Sequence, residues 1–98
     1  MAAYIVVQIE ITDPETFETY RAQVPATLKP YGGEFIVRGG DMEILEGEWA
    51  APRCVILKFP DMDAAKAWQA SPEYEGPMAL RQTSANVNMI VVDGIDAD

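Results

Sequence analysis

Apolar and polar residues alternate with a period of two in four stretches of the chain, and this alternation predicts four β-strands. The predicted strands cover residues 3–11, 34–38, 53–59 and 86–93. One face of the first strand is wholly aliphatic, and β-branched side chains of this kind suit a pleated surface. That face consists of Ile5, Val7, Ile9 and Ile11. We expect a layer of helices to cover this face of the sheet.

Helix start signals lie between the predicted strands. Asp13, Asp61 and Ser71 can each cap a helix, and an acidic residue follows in the first turn of each one. The first helix carries a stripe of large side chains at intervals of three and four, which predicts a core-facing surface. The stripe consists of Phe17, Tyr20, Val24 and Leu28. Pro25 and Pro77 each remove a backbone donor inside a helix, so we expect a kink or a break at both positions.

The middle strand lies within Tyr31–Gly40, between two glycine pairs that mark sharp turns or close backbone approaches. Strict alternation would direct Phe35 and Val37 to one face of the sheet and Arg38 to the other. The acidic segment 42–49 that follows is predicted to form a hairpin or an edge segment, where charge discourages unwanted pairing.

The sheet face opposite the helices is predicted to be unusually apolar for a surface exposed to water. It would carry Tyr4, Gln8, Arg38 and Lys58 among Val6, Ile36, Cys54 and Ile56. Large apolar patches of this kind usually mark a contact. The simplest partner is a second copy of the chain, so we expect a homodimer that packs sheet to sheet.

Composition narrows the classes of partner. The formal net charge of −9 over 98 residues disfavours nucleic acid and anionic membranes, which require a basic surface. No apolar run approaches the ~20 residues that span a bilayer, and the first eleven residues lack the basic start of a signal peptide. The sequence therefore predicts a cytoplasmic protein with no nucleic-acid and no membrane partner.

Missing residue types narrow the chemistry further. The chain contains no histidine and one cysteine, Cys54. Histidine-dependent nucleophile systems, histidine zinc sites, cysteine zinc clusters and internal disulfides are thereby excluded. We expect no metal and no cofactor, and the sequence names no catalytic residue.

Several short motifs occur in a fixed order along nearly the whole chain. They are Pro25-Ala26-Thr27-Leu28, Tyr31-Gly32-Gly33, Val37-Arg38-Gly39-Gly40, Leu45-Glu46-Gly47, Phe59-Pro60, Ala67-Trp68, Ser71-Pro72-Glu73-Tyr74 and Leu80-Arg81. Together they resemble the domain-of-unknown-function family 1330, within the dimeric α/β-barrel superfamily. The resemblance implies one ferredoxin-like α+β domain over residues 1–98, with a four-stranded antiparallel sheet, helices on one face and a homodimer built through the sheets.

The resemblance leaves the activity open. Some monooxygenases of the superfamily carry a histidine near the Ser-Pro motif, and the corresponding stretch Ser71-Pro72-Glu73-Tyr74 lacks one. Three functions follow as hypotheses. The first is binding of a small anionic or carbonyl-containing molecule, with or without turnover as a cofactor-independent enzyme. The second is a regulatory or structural homodimer without turnover, and the third is a cofactorless monooxygenase.

A pocket between sheet and helices would be mostly apolar with a few convergent polar groups. The candidate ligand-binding residues are Tyr20, Tyr31, Arg38, Trp68 and Tyr74. Arg38 can hold a carboxylate through two parallel hydrogen bonds, and it can equally pair with an acidic residue of its own chain or of a partner. Arg53 and Arg81 are interpreted as ion-pair residues, because the chain is so acidic.

Overall fold

The computed structural model describes residues 2–49 and 51–95 and contains one four-stranded antiparallel sheet. Its elements in chain order are β1 (Ala3–Ile11), α1 (Pro14–Leu28), a 3-10 turn (Lys29–Tyr31), β2 (Glu34–Arg38), β3 (Arg53–Phe59), α2 (Met62–Gln69), α3 (Pro72–Ser84) and β4 (Ala85–Asp93). The strand order is β2-β3-β1-β4. This α+β arrangement, with its helices packed on one face of an antiparallel sheet, confirms the predicted fold class. No helix in the described ranges is long and apolar enough to cross a membrane.

Side-chain caps start the three helices at the predicted residues. Asp13 accepts a hydrogen bond from the backbone N–H of Thr16, and Asp61 and Ser71 cap α2 and α3 in the same way. Neither α1 nor α3 is interrupted at its internal proline, so the breaks considered at Pro25 and Pro77 do not occur. Burial on both sides of Pro25 accounts for this continuity, because Val24 and Leu28 are anchored in the core.

The core lies between the helices and one face of the sheet. From the strands it takes Ile5, Val7, Ile9, Val55, Leu57 and Phe59, and from the helices Phe17, Tyr20, Val24, Leu28, Ala65, Trp68 and Tyr74. The contributing residues of β1 and β3 alternate along each strand, as the sequence pattern predicts. Trp68 is 1% exposed and its ring lies 5.6 Å from that of Phe59, so it anchors α2 to the sheet.

Strand β2 departs from strict alternation, and the predicted position of Arg38 is wrong. Phe35 pairs with Leu57, but Val37 pairs with Ile56 and Arg38 with Val55. The register therefore shifts between Phe35 and Val37, as in a β-bulge, where one extra residue on a strand reverses the faces of those that follow. Arg38 consequently shares the helix-covered face with Phe35, while Val37 points to the opposite face. β2 is also an edge strand, although it lies in the middle of the sequence.

The segment between β2 and β3 forms neither a strand nor a helix in its described residues, so the expected hairpin is absent. It exposes large apolar side chains, with Leu45 at 89% and Ile44 at 54% of their possible area. It also carries four acidic side chains, all of them exposed. No strand pairs with β2 on that side in the described part of the chain.

The sheet face opposite the helices, which we call the outer face, is partly apolar, as predicted. Cross-strand pairing places Val6 between Ile56 on β3 and Ile90 on β4. Ile90 is 58% exposed and Val92 41% exposed. The outer face thus presents a band of aliphatic side chains that the helices do not cover.

Candidate ligand-binding cleft

A cleft opens between α1 and the inner face of the sheet, and we call it the α1 cleft. It is lined by Val7, Ile9, Phe17, Tyr20, Arg21, Val24, Phe35, Arg38, Arg53, Val55, Leu57, Trp68 and Met89. The space inside that a water-sized sphere can reach with its centre is about 40 Å³. Since one water needs roughly 10–15 Å³ on this measure, the cleft is a narrow apolar slot that accommodates a few atoms.

Three arginines stand at the mouth of the α1 cleft. Arg38 is exposed and Arg21 and Arg53 are half-buried, whereas most of the apolar lining is buried. Arg21 donates from Nη2 to Oε1 of Glu18 at 2.6 Å, and the side chains of Arg21 and Glu18 are 39% and 63% exposed. The Arg38 guanidinium lies over the Phe35 ring, 4.4 Å from the ring centroid, a cation–π contact that favours this orientation. The bulge in β2 creates this arrangement by bringing Arg38 to the helix-covered face.

The Arg53 guanidinium lies close against the backbone at Gly39. Gly39 has a positive φ of 69°, and its N–H donates to the Cys54 carbonyl at 2.9 Å. A Cβ on Gly39 would lie 2.4 Å from Cζ of Arg53, so the guanidinium occupies space that only glycine leaves open. The Nε of Arg53 is buried and has no hydrogen-bond partner within the described residues.

The floor of the α1 cleft rests on an aromatic cluster whose polar atoms have hydrogen-bond partners within the protein. The hydroxyls of Tyr20 and Tyr74 are 2.9 Å apart, and Trp68 donates from Nε1 to Oγ1 of Thr27 at 3.0 Å. The Trp68 and Tyr74 rings lie 4.1 Å apart. Burial, and then the neighbouring Tyr74, raise the pKa of Tyr20 far above its usual value of 10.0. Tyr20 therefore stays neutral at any physiological pH.

The structure brings together three of the five residues predicted to bind a ligand. Arg38, Tyr20 and Trp68 line the α1 cleft. Tyr74 is fully buried and supports Tyr20 through its hydroxyl, without reaching the lining. Tyr31 lies elsewhere, and its hydroxyl donates to Oε2 of Glu73 at 2.9 Å.

The Tyr31–Glu73 contact belongs to the start of α3. A backbone N–H and the Tyr31 hydroxyl lower the pKa of the Glu73 carboxyl, and the same hydrogen bond raises the pKa of Tyr31. Glu73 is thus held as an anion at the start of a helix, where the helix dipole favours negative charge and opposes general-acid behaviour.

Two of the three arginines at the mouth of the α1 cleft, Arg21 and Arg53, are not among the five residues predicted to bind a ligand. Arg21 follows Phe17 by four positions, so helical spacing alone places it beside the core stripe of α1 and could have indicated its position. Arg53 precedes Val55 and Leu57 by two and four positions, so strand alternation places it on the same face of β3 as these core residues. From the sequence, Arg53 is nevertheless interpreted as an ion-pair residue. Within residues 2–49 and 51–95, neither Arg53 nor Arg81 lies within ion-pair distance of a carboxylate. No three histidine, cysteine, aspartate or glutamate side chains of these ranges converge as metal ligands.

Comparison with known proteins supports the fold. A family model described as Domain of unknown function (DUF1330) matches residues 2–95. The curated proteins give no match. RPA0582 from Rhodopseudomonas palustris, described as a protein of unknown function, shares 15% identity at a TM-score of 0.76, over 97% of this chain and 83% of that one. A dimeric ferredoxin-like protein of unknown function from Jannaschia sp. CCS1 shares 14% identity at 0.77, over 96% and 100%.

A third solved structure belongs to a protein with a described activity. SnoaB, a cofactor-independent oxygenase from Streptomyces nogalater, shares 15% identity at a TM-score of 0.65, over 98% of this chain and 95% of that one. At identities this low, the three structures establish a ferredoxin-like fold and carry no activity over to this chain.

Proposed function

The chain belongs to the DUF1330 family, and we propose that this member binds a small anionic or carbonyl-containing molecule in the α1 cleft. The observation that carries the proposal is the clustering of charge. The chain has four arginines and a net charge of −9, yet three of those arginines line this one otherwise apolar cleft. Guanidinium groups bind carboxylates through parallel hydrogen bonds, and apolar walls accept the rest of a ligand.

The same lining favours binding over acid–base catalysis by the protein. The ionisable groups that line the α1 cleft are three arginines and Tyr20. Arginine does not lose its proton in proteins, and burial keeps Tyr20 neutral. Neither a carboxylate nor an imidazole is among the lining residues, so no side chain there is suited to act as a general base. A cofactorless monooxygenase would be supported instead by oxygen uptake with an electron-rich phenol.

We propose further that two copies associate through the outer face. The aliphatic band centred on Val6, Ile56 and Ile90 is not covered by the helices, and a patch of this kind is rarely left in water. A second copy offers the same patch, which a two-fold interface requires. The description of the similar Jannaschia protein as dimeric is consistent with this assembly.

Binding is tested by titrating the ¹⁵N-labelled protein with small carboxylates and neutral carbonyl compounds while recording two-dimensional NMR spectra. Saturable shifts should concentrate at residues of the α1 cleft, and Arg38→Ala should abolish them. Lys29→Ala removes one positive charge at an exposed site outside the cleft and should leave binding intact. Unchanged affinity in Arg38→Ala, or shifts located elsewhere, would refute the proposed site.

Assembly is tested by sedimentation of a charged variant of the outer face. Ile90→Glu alters a side chain that is already 58% exposed in the isolated chain, so it should weaken the dimer without unfolding the protomer. Ala22→Glu makes the same type of change on the exposed side of α1 and should leave the dimer intact. A dimer of equal strength in Ile90→Glu would contradict the outer-face interface.

A further inference from the structure

We infer that the α1 cleft selects a short-chain monocarboxylate, with its carboxylate held by Arg38 and Arg53 and its apolar end inserted toward Trp68. This inference rests on the proposed binding function and specifies the class of ligand. It follows from three features of the cleft: the unequal pairing of its arginines, the close approach of Arg53 to Gly39, and the small apolar volume below the arginines.

The three arginines at the mouth of the cleft differ in whether a carboxylate of the protein pairs with them. Arg21 already has Glu18 at 2.6 Å, whereas Arg38 and Arg53 have no carboxylate within ion-pair distance among the described residues. The buried Nε of Arg53 also lacks a hydrogen-bond partner there. A buried donor without a partner is costly, and hydrogen bonds to a charged group are the strongest that proteins make. A carboxylate could meet Nε of Arg53 only after that side chain shifts, because the atom is closed to solvent here. At the outer N–H groups of Arg38 and Arg53 it would supply a counter-charge for both guanidiniums.

Gly39 is the positioning residue for this contact. Its missing side chain leaves the space in which the Arg53 guanidinium lies, since a Cβ would come within 2.7 Å of both Nε and one Nη. The positive φ of 69° at Gly39 makes a larger residue unfavourable on backbone grounds as well. Substitution at Gly39 would thus move the guanidinium without removing its charge.

The volume below the arginines sets the size and polarity of the other end of the ligand. About 40 Å³ is open to the centre of a water-sized sphere, which is room for roughly three or four waters at 10–15 Å³ each and hence for a ligand end of a few heavy atoms. The walls are aliphatic and aromatic, and the Tyr20 hydroxyl already pairs with Tyr74 at 2.9 Å. A second charge or an additional polar group at this depth would lack a partner. The cleft therefore fits a short, unsubstituted apolar end.

Isobutyrate is a suitable probe, with isobutyramide as a neutral molecule of nearly the same shape and phenylacetate as a bulkier acid. Calorimetric and NMR titrations of the wild-type protein should give tightest binding for isobutyrate. Loss of charge-assisted hydrogen bonds should weaken isobutyramide by about 10- to 100-fold. Arg53→Gln should remove most of this preference for acid over amide, and Arg53→Lys should restore only part of it because lysine lacks the fork of donors.

Gly39→Ala supplies the readout for positioning. It should lower the affinity for isobutyrate and leave that for isobutyramide nearly unchanged, a change of ratio that a general loss of structure would not produce. Circular dichroism melts show whether each variant is folded, and the two Arg53 variants carry the test if Gly39→Ala does not fold.

The possible results separate this inference from the proposed function. Equal affinity for isobutyrate and isobutyramide, or tighter binding of phenylacetate, with shifts still located in the α1 cleft, would overturn the ligand class and leave the binding function standing. An acid preference that survives in Arg53→Gln would overturn the role of Arg53. Absence of binding in the cleft by every compound would overturn both.

Discussion

The hydrogen bond between Tyr20 and Tyr74 predicts an asymmetric response to removing either hydroxyl. Tyr20→Phe and Tyr74→Phe each delete one oxygen and keep the aromatic ring, so the ring contact of Tyr74 with Trp68 at 4.1 Å is preserved. Tyr74 is completely buried, whereas Tyr20 lines the α1 cleft and is 9% exposed. Tyr20→Phe therefore leaves the Tyr74 hydroxyl without a partner in a completely buried residue, while Tyr74→Phe leaves the Tyr20 hydroxyl without a partner in a residue that lines the cleft and is 9% exposed.

The expected magnitudes follow from this difference. A buried hydroxyl that loses its hydrogen-bond partner lowers the unfolding free energy by about 1–3 kcal/mol. The loss should be near the upper end of this range in Tyr20→Phe and near the lower end in Tyr74→Phe. The double variant leaves no orphan and should cost no more than Tyr20→Phe alone. For a domain of this size each kcal/mol corresponds to a fall in melting temperature of about 4–8 °C.

Urea unfolding followed by far-UV circular dichroism measures all four proteins of this double-mutant cycle. Protein concentration must be held constant, because association of the chain would make its apparent stability concentration-dependent. The two single effects should exceed the double effect when summed, with a coupling of about 1–2 kcal/mol between the hydroxyls. Additive effects, or a larger loss in Tyr74→Phe than in Tyr20→Phe, would refute this account of the cleft floor.

Three further perturbations test the fold that supports the α1 cleft. Asp13→Ala removes the side-chain cap of α1 and should lower the unfolding free energy by about 0.5–2 kcal/mol. Urea unfolding measures this loss, and an unchanged unfolding midpoint would contradict the capping role of Asp13. Gly33→Ala places a Cβ 2.7 Å from Cε1 of Phe59, and this overpacking should lower the unfolding free energy by about 1–3 kcal/mol. In Gly76→Ala the new Cβ meets nothing within 4 Å. This second variant should stabilise the protein by about 0.4–1 kcal/mol in the same assay. Because the folded-state pKa of Tyr20 is raised above 10.0, its contribution to stability is complete below pH 10 and declines as the pH rises further, by up to about 1.4 kcal/mol per pH unit. Unfolding midpoints recorded up to pH 11 should thus fall less steeply in Tyr20→Phe than in wild type, and equal slopes would contradict the burial of that hydroxyl.

The sequence pattern located strands β1 and β3 because every second residue of each strand contributes to one continuous apolar face. Ala3–Ile11 and Arg53–Phe59 are observed with the predicted bounds. The starts of the helices could be predicted equally well, because a capping side chain accepts a hydrogen bond from a backbone N–H only three residues away. Both patterns depend on residues that are close together in the sequence, so they do not require knowledge of tertiary contacts.

The position of Arg38 could not be obtained in the same way. Phe35, Ile36 and Val37 are all apolar, so alternation does not fix which of them is the extra residue of a bulge. That choice depends on pairing with β3, where Val37 meets Ile56 and Arg38 meets Val55. The sequence pattern thus placed Arg38 on the wrong face of the sheet. The clustering of Arg21, Arg38 and Arg53 likewise requires the tertiary contact of α1 with the sheet.

The most direct test of the central claim is an NMR titration with isobutyrate that observes the Nε–Hε signals of the four arginines. The account predicts saturable shifts of Arg38 and Arg53, little change at Arg81, and nuclear Overhauser contacts from the isobutyrate methyl groups to Val24 and Leu57 in the cleft wall. Arginine shifts that stay unsaturated and equal at all four sites, with no methyl contact to the cleft, would contradict the claim that this family member binds small anions between α1 and its sheet.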